Sequence, residues 1–267
     1  MAESKVKLSI NDGIAQVTLS RPQKHNALNM DMFRALDNVI SQIGKNKMIR
    51  VVIVTGAGES FCSGLDIKSV LSNPRNALSL LWKWLPGNPN LAQRVSIGWR
   101  RLNVPVIMAL HGNCWGGGMQ IALGADFRIA APDCSLSIME ARWGLIPDMG
   151  GTIGLNECVA IDQAMKLAMS AETLDAQSAL SIGLITQVAA DPLQSAQQLA
   201  QQLVDRSPDT NQAIKKMYHS VWSKNNWRNE RQILAKETWQ QIKILLRKNQ
   251  KIAVKRELGN KDISYKI

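Results

Sequence analysis

Two carboxylates, Glu140 and Asp148, stand in the segment Ser137–Thr152 with Gly144 and Pro147 between them. Those two breakers exclude a shared helix face, so the acids approach a common point from two directions only through a folded loop. Their sequence neighbours Ile138, Met139, Trp143, Leu145, Ile146 and Met149 are apolar. An apolar setting raises carboxyl pKa values into the range useful for proton transfer. The same residues are equally compatible with loop acids paired to Arg142 or Arg128.

Two glycine-bearing turns supply a second kind of chemistry. In Phe61–Lys68 (FCSGLDIK), Gly64 permits a sharp turn that leaves the backbone N–H of Leu65 free to face a cleft. Gly112–Met119 (GNCWGGGM) reads as a strand-to-helix turn whose glycines allow close backbone approach. Together, two such turns aim two N–H donors at one oxygen, which is an oxyanion hole. Taken singly, each is equally a tight connection in an α/β sheet. GNCWGGG lacks the spacing of a dinucleotide fingerprint. No metal site is expected, because Cys62, Cys114, Cys134, Cys158, His25, His111 and His219 are scattered without ligand spacing. His25 and His111 read as packing or hydrogen-bonding residues, and His219 as an exposed helix residue.

These residues need a scaffold, and apolar periodicity outlines one. Val6–Ile10 and Ile14–Leu19 alternate around Asn11-Asp12-Gly13, the pattern of a hairpin. Asp31–Ile43 has helical spacing, Val51–Val54 and Val104–Leu110 read as buried strands, Gln120–Ala125 as a short helix and Phe127–Ala130 as a strand. The rhythm predicts a mostly parallel sheet flanked by helices. Ser72–Pro89 reads as a loop with apolar helical pieces, and its Leu80–Leu85 stretch, with Trp82 and Trp84, is expected either to line or cover a bound apolar group or, equally, to pack against a neighbouring subunit or the protein's own core. Beyond Ala160 the character is helical: Ala176–Ile182, Pro192–Val204, Thr210–Val221 and Arg228–Leu246, with Leu184–Val188 as the last strand. A tail of this size needs the body or a neighbouring subunit to pack on.

The chain has 267 residues, of which 45% are hydrophobic, enough for a sizeable core. Neither a signal peptide nor a membrane span is expected, and scattered cysteines suit a reducing compartment, so the cytoplasm is the expected location. The net charge of +11 calls for an anionic partner. Lys45, Lys47, Arg50 and the basic tail would suit RNA phosphates, but Asn249–Lys261 lacks the interleaved aromatics that stack bases. Nucleic acid is therefore the weaker reading.

Taken in order, Arg21–Leu28 (RPQKHNAL), Val51–Lys68 (VVIVTGAGESFCSGLDIK), Pro105–Gly118 (PVIMALHGNCWGGG), Ala125–Ala130 (ADFRIA), Met139–Thr152 (MEARWGLIPDMGGT) and Ala179–Ile185 (ALSIGLI) resemble the crotonase, or enoyl-CoA hydratase/isomerase, superfamily. The resemblance implies an α/β crotonase fold of repeated ββα units. It divides the chain into a core over residues 1–190, which carries an acyl-CoA site, and a helical trimerisation region over 191–267. By it the N–H groups of Leu65 and Gly117 form the oxyanion hole, and Lys24, Ala27, Leu28, Gly64, Asp66 and Ile67 lie around the CoA pocket. Coenzyme A enters as part of the substrate, with no further cofactor, and the assembly implied is a homotrimer or a dimer of trimers. The chain departs from a typical hydratase at Gln120, where that family carries the first of two glutamates. A neutral amide orients water but is no general base. Glu140 matches the second glutamate, and Asp148 matches an aspartate of the dienoyl-CoA isomerases. The resemblance thus points to Glu140 and Asp148 as a proton-transfer pair for double-bond isomerisation. Hydration is the alternative.

Overall fold

The computed structural model describes residues 4–71, 73–222, 227–260 and 262–265. Residues 1–3, Ser72 and Lys261, which begin or end segments read above, lie outside the described residues. Strand β1 (Val6–Asn11) pairs antiparallel with β2 (Ile14–Leu19) across the expected turn. Helix α1 (Met30–Lys45) starts at Asn29, whose side chain accepts a hydrogen bond from Met32 N, and buries Phe33, Leu36, Val39, Ile40 and Ile43 along one stripe. After β3 (Val51–Gly56) come three helices, α2 (Ile67–Leu71), α3 (Pro74–Leu81) and α4 (Leu91–Arg100). Then follow β4 (Val106–Leu110), β5 (Asn113–Trp115), α5 (Gly117–Ala122), β6 (Phe127–Ala130) and β7 (Ser135–Ser137). A 3-10 turn over Glu140–Trp143 leads to α6 (Gly151–Cys158), α7 (Ile161–Ser170), β8 (Thr173–Leu174), α8 (Ala176–Ser181) and β9 (Gln187–Val188). The tail comprises α9 (Pro192–Val204), α10 (Pro208–Trp222), α11 (Trp227–Leu245) and α12 (Lys248–Glu257).

The larger sheet has the order β1-β2-β3-β4-β6-β9 and is parallel from β2 onward. Strands β3 and β4 are apolar without interruption because both of their faces are covered. Val52, Val54, Val106 and Met108 enter the main core with α1 and α4, while Val51, Ile53, Ile107 and Ala109 face Ala196 and Ala200 of α9. Each Val, Ile, Leu or Phe so buried contributes about 1.5–3 kcal/mol. A second sheet, β5-β7-β8, was not expected, since strands this short carry no readable alternation. Helix α4 was also not anticipated, and its start is a capping box between Asn90 and Gln93.

His219 corrects an expectation. Its Nε2 lies 3.1 Å from Asp126 Oδ1, and Lys215, one turn earlier, donates to Asp126 Oδ2 at 2.7 Å and to Val104 O at 2.9 Å. Helix α10 therefore turns its ionic stripe toward the half-buried Asp126 and leaves Ile214, Met217, Tyr218 and Val221 exposed. A carboxylate withdrawn from water demands counter-charges more strongly than an apolar stripe demands burial.

The tail packs on the body of its own chain. Leu234 of α11 meets Ile97 and Ile153, and α12 rests on the 3-10 turn. There, Gly144 has φ +63°, and a Cβ on it would stand 2.7 Å from Ala253 Cβ. Among the described residues, no helix is long and apolar enough to cross a membrane.

Candidate active site

Three extended segments lie side by side beneath the site. Leu28 N donates to Gly64 O at 2.8 Å and Asp66 N to Leu28 O at 3.0 Å, a parallel bridge that turns the N–H of Leu65 away from it. Cys62 N donates to Asn113 O at 2.9 Å and Trp115 N to Cys62 O at 3.0 Å, which ties the first glycine turn to the second. Gly64 has φ +91°, and a Cβ there would stand 2.8 Å from Trp115 O and 3.4 Å from Gly117 N. Glycine is required for this close approach. Gly117 opens α5, so its N–H has no partner within the helix. Among the described residues neither the Leu65 nor the Gly117 N–H is donated, and both residues line one cavity of about 400 Å³.

That cavity brings together Gly64, Leu65, Ile67, Gly117, Gln120, Glu140 and Asp148. Its apolar walls include Phe33, Val70, Leu80 and Leu81, and the tail closes it with Leu245 and Val254. Trp82 and Trp84 do not line it; they are 66% and 84% exposed, because α3 ends at Leu81 and the chain leaves in extended conformation. Of the Leu80–Leu85 stretch, Leu80 and Leu81 alone among these residues reach the cavity wall.

The buried Glu140 accepts a hydrogen bond from Gln120 Nε2 on Oε1 at 2.6 Å, and its Oε2 has no partner among the described residues. Burial raises the Glu140 pKa, and the Gln120 bond opposes that rise. Burial, followed by the negative charges of Glu237 and Glu140, pushes Asp148 up to about 8. The two acids thus have distinct surroundings within one cavity. Gln120 cannot orient water through its carbonyl, because Oε1 already accepts from Met149 N at 2.8 Å and Gly151 N at 3.2 Å. The Arg128 guanidinium is spent on Leu184 O at 2.9 Å and Ala125 O at 2.8 Å, which leaves it no role as a partner for these acids.

The other positions singled out in the sequence lie nearby but outside the wall. Leu28 is buried beneath the cradle, Lys24 is exposed, and Ala27 O accepts from Arg21 Nη1 at 2.8 Å. Asp66 pairs with Arg21 at 2.8 Å and accepts from Ser69 N at 3.1 Å. Although burial works against its charge, the Arg21 bond and the Ser69 N–H hold it below the usual carboxylate range. His25 Nδ1 lies 3.1 Å from Ser60 Oγ, and His111 Nε2 lies 3.0 Å from Gly58 O. Cys62 is no nucleophile, since burial pushes its thiol up to about 12.

Sequence reasoning missed Glu237 of α11. Its carboxylate accepts from Gly150 N and Gln93 Nε2 at 3.0 Å each and from Thr152 N at 3.3 Å. Lys83 was missed as well; its Nζ donates to Leu234 O at 2.7 Å, and burial brings it down to about 8. Neither residue sits within a motif that would have drawn attention to it.

A parallel sheet of this order with a second small sheet, a glycine-framed cavity and a folded-back helical tail is a crotonase-like α/β fold. An enoyl-CoA hydratase/isomerase from Pseudoalteromonas atlantica T6c has this fold with a TM-score of 0.84, at 22% identity, over 98% of this chain and 100% of that one. The enoyl-CoA hydratase/isomerase family profile matches residues 9–244, and the chain belongs to that family, the crotonases. It is similar to the carnitinyl-CoA dehydratase of Escherichia coli K12, with 32% identity over 83% of this chain and 82% of that protein. It is also similar to the short-chain-enoyl-CoA hydratase of Clostridium acetobutylicum, with 33% identity over 78% of each. Membership implies an acyl-CoA substrate.

Proposed function

We propose that this chain moves a double bond within an enoyl- or dienoyl-CoA through a thioester enolate. Glu140 takes a proton at one end of the conjugated system through the unpartnered Oε2, and the electrons move onto the thioester oxygen. The Leu65 and Gly117 N–H groups hold that oxygen. Asp148 delivers its proton at the other end, and a proton returned from Glu140 to Asp148 resets the pair. The carrying observation is that Asp148 lines the same cavity in which Glu140 presents an oxygen without a partner among the described residues, and burial with the charges of Glu237 and Glu140 pushes Asp148 up to about 8. Gln120, with its carbonyl already filled, does not serve as the second base of a hydratase.

The CoA portion is assigned to the rim near Lys24, Ala27, Leu28, Gly64, Asp66 and Ile67, and the acyl group to the Leu80 and Leu81 wall. The exposed stripes Ile161, Met165 and Met169 on α7 and Ile214, Met217 and Val221 on α10 suit self-association, as in a homotrimer or a dimer of trimers. Light scattering of the purified chain tests that assembly. A cytoplasmic location suits an enzyme of this chemistry. RNA binding is disfavoured, because Arg50, one of its candidate cations, donates to Val204 O at 2.9 Å and Arg206 O at 2.6 Å.

Hydration is the second reading, favoured by the activities named for the two bacterial relatives. Incubation with a panel of enoyl- and dienoyl-CoA thioesters, followed by product mass, separates the two. An isomer of unchanged mass supports isomerisation, and a product heavier by one water supports hydration.

A further inference from the structure

We propose that Glu237 is a positioning residue of this active site, which clamps the Asp148 turn from the tail and keeps Asp148 protonated through its own negative charge. The assignment rests on the reading of Asp148 as proton donor.

The turn from Met149 to Thr152 is gripped from two sides in strict alternation. Gln120 Oε1 receives Met149 N and Gly151 N, while Glu237 receives Gly150 N and Thr152 N. Gly150 is the N-cap of α6 and Gly151 and Thr152 form its first turn, where the helix itself supplies no acceptors, and Met149 directly precedes them. Gln93 Nε2, from the capping box of α4, holds the Glu237 carboxylate in place at 3.0 Å. Burial raises the Glu237 pKa, and the N–H donors around the carboxylate oppose that rise by favouring its charged form.

The charged groups facing Asp148 come from every element packed around it. Glu140 and Arg142 belong to the 3-10 turn and Glu257 to α12, and all three line the same cavity; Glu237 comes from α11, and Lys83 from the segment after α3. After burial, Glu237 and then Glu140 raise the Asp148 pKa, and Lys83 acts in the opposite sense. The tail therefore closes the cavity and also sets the proton affinity of an acid whose own motif lies in the core.

The test is a carbon-13 NMR titration of the full-length protein carrying carboxyl-labelled aspartate, without substrate, with the Asp148 signal assigned through Asp148→Asn. Glu237→Gln is expected to lower the Asp148 midpoint by about one pH unit or more, and Lys83→Met to raise it. The Asp148-dependent limb of the kcat profile is expected to move with the midpoint. Glu237→Asp, which keeps the charge but shortens the reach, is expected to hold the midpoint and lose kcat. If Glu237→Gln, which removes the charge, lowers kcat while leaving the midpoint in place, Glu237 is merely structural, and that result overturns the proposal. Should Glu237→Gln fail to fold, an unmoved midpoint in Lys83→Met overturns the electrostatic arrangement on its own. Because the titration needs no turnover, an Asp148 that titrates as stated in a chain whose Asp148→Asn variant is fully active sinks the isomerase reading alone.

Discussion

Gln120 donates its amide to Glu140 at 2.6 Å while its carbonyl receives Met149 N and Gly151 N, so one neutral side chain joins the base to the turn that carries the acid. The sequence marks Gln120 as a lost glutamate. In the fold it is a strut.

Removing that strut is expected to cost stability first. Gln120→Ala orphans two buried N–H groups and is predicted to lower unfolding stability by about 2 kcal/mol or more. Denaturant melts of the wild type and the variant measure this. A loss of a few tenths would show that water replaces the amide.

Glu140→Gln and Asp148→Asn are each expected to cut turnover by about 10²-fold or more with little change in CoA affinity. Steady-state kinetics alongside calorimetric titration with a CoA thioester separate the two effects. A fully active Asp148→Asn would leave no argument that distinguishes this chain from a hydratase.

Gly117→Pro removes one of the two undonated N–H groups at the first position of α5, where proline is well tolerated. Turnover is expected to fall by about 10²-fold or more. An added Cβ at this position meets Leu28 Cδ1 and Met149 Sδ at 3.0 Å, outer atoms of side chains that must give by a few tenths of an ångström, and circular dichroism checks that the protein stays folded. Unchanged turnover in that folded variant takes Gly117 out of the chemistry.

Asp148 also predicts a pH dependence of stability. Its pKa rises from 3.8 in the unfolded chain to about 8 in the folded one. Between those values the folded state binds a proton that the unfolded state has released, so this residue's contribution declines as pH rises through the window. Asp148→Asn is therefore expected to gain more in Tm over the wild type at pH 8 than at pH 5. Equal gains at both would mean that Asp148 ionises normally.

Local backbone chemistry was legible in the residues themselves. The hairpin at Asp12-Gly13, the continuous apolar runs of β3 and β4, and the glycine turns at Gly64 and Gly117 follow from sterics and periodicity acting within a few residues. So did the two carboxylates, since Gly144 and Pro147 forbid a single helix between them. Tertiary structure alone decided which groups act on them. Glu237 reaches Gly150 across 87 residues of chain, and no periodicity encodes a contact at that separation. Trp82 and Trp84 turned outward because a helix ended one residue too soon, and His219 turned inward because Asp126 lay waiting for charge. Pattern reads the preference of each residue for water or oil. Proton affinity depends on the sum of charges and burial that distant segments bring to one point, and that sum exists only once the chain has folded.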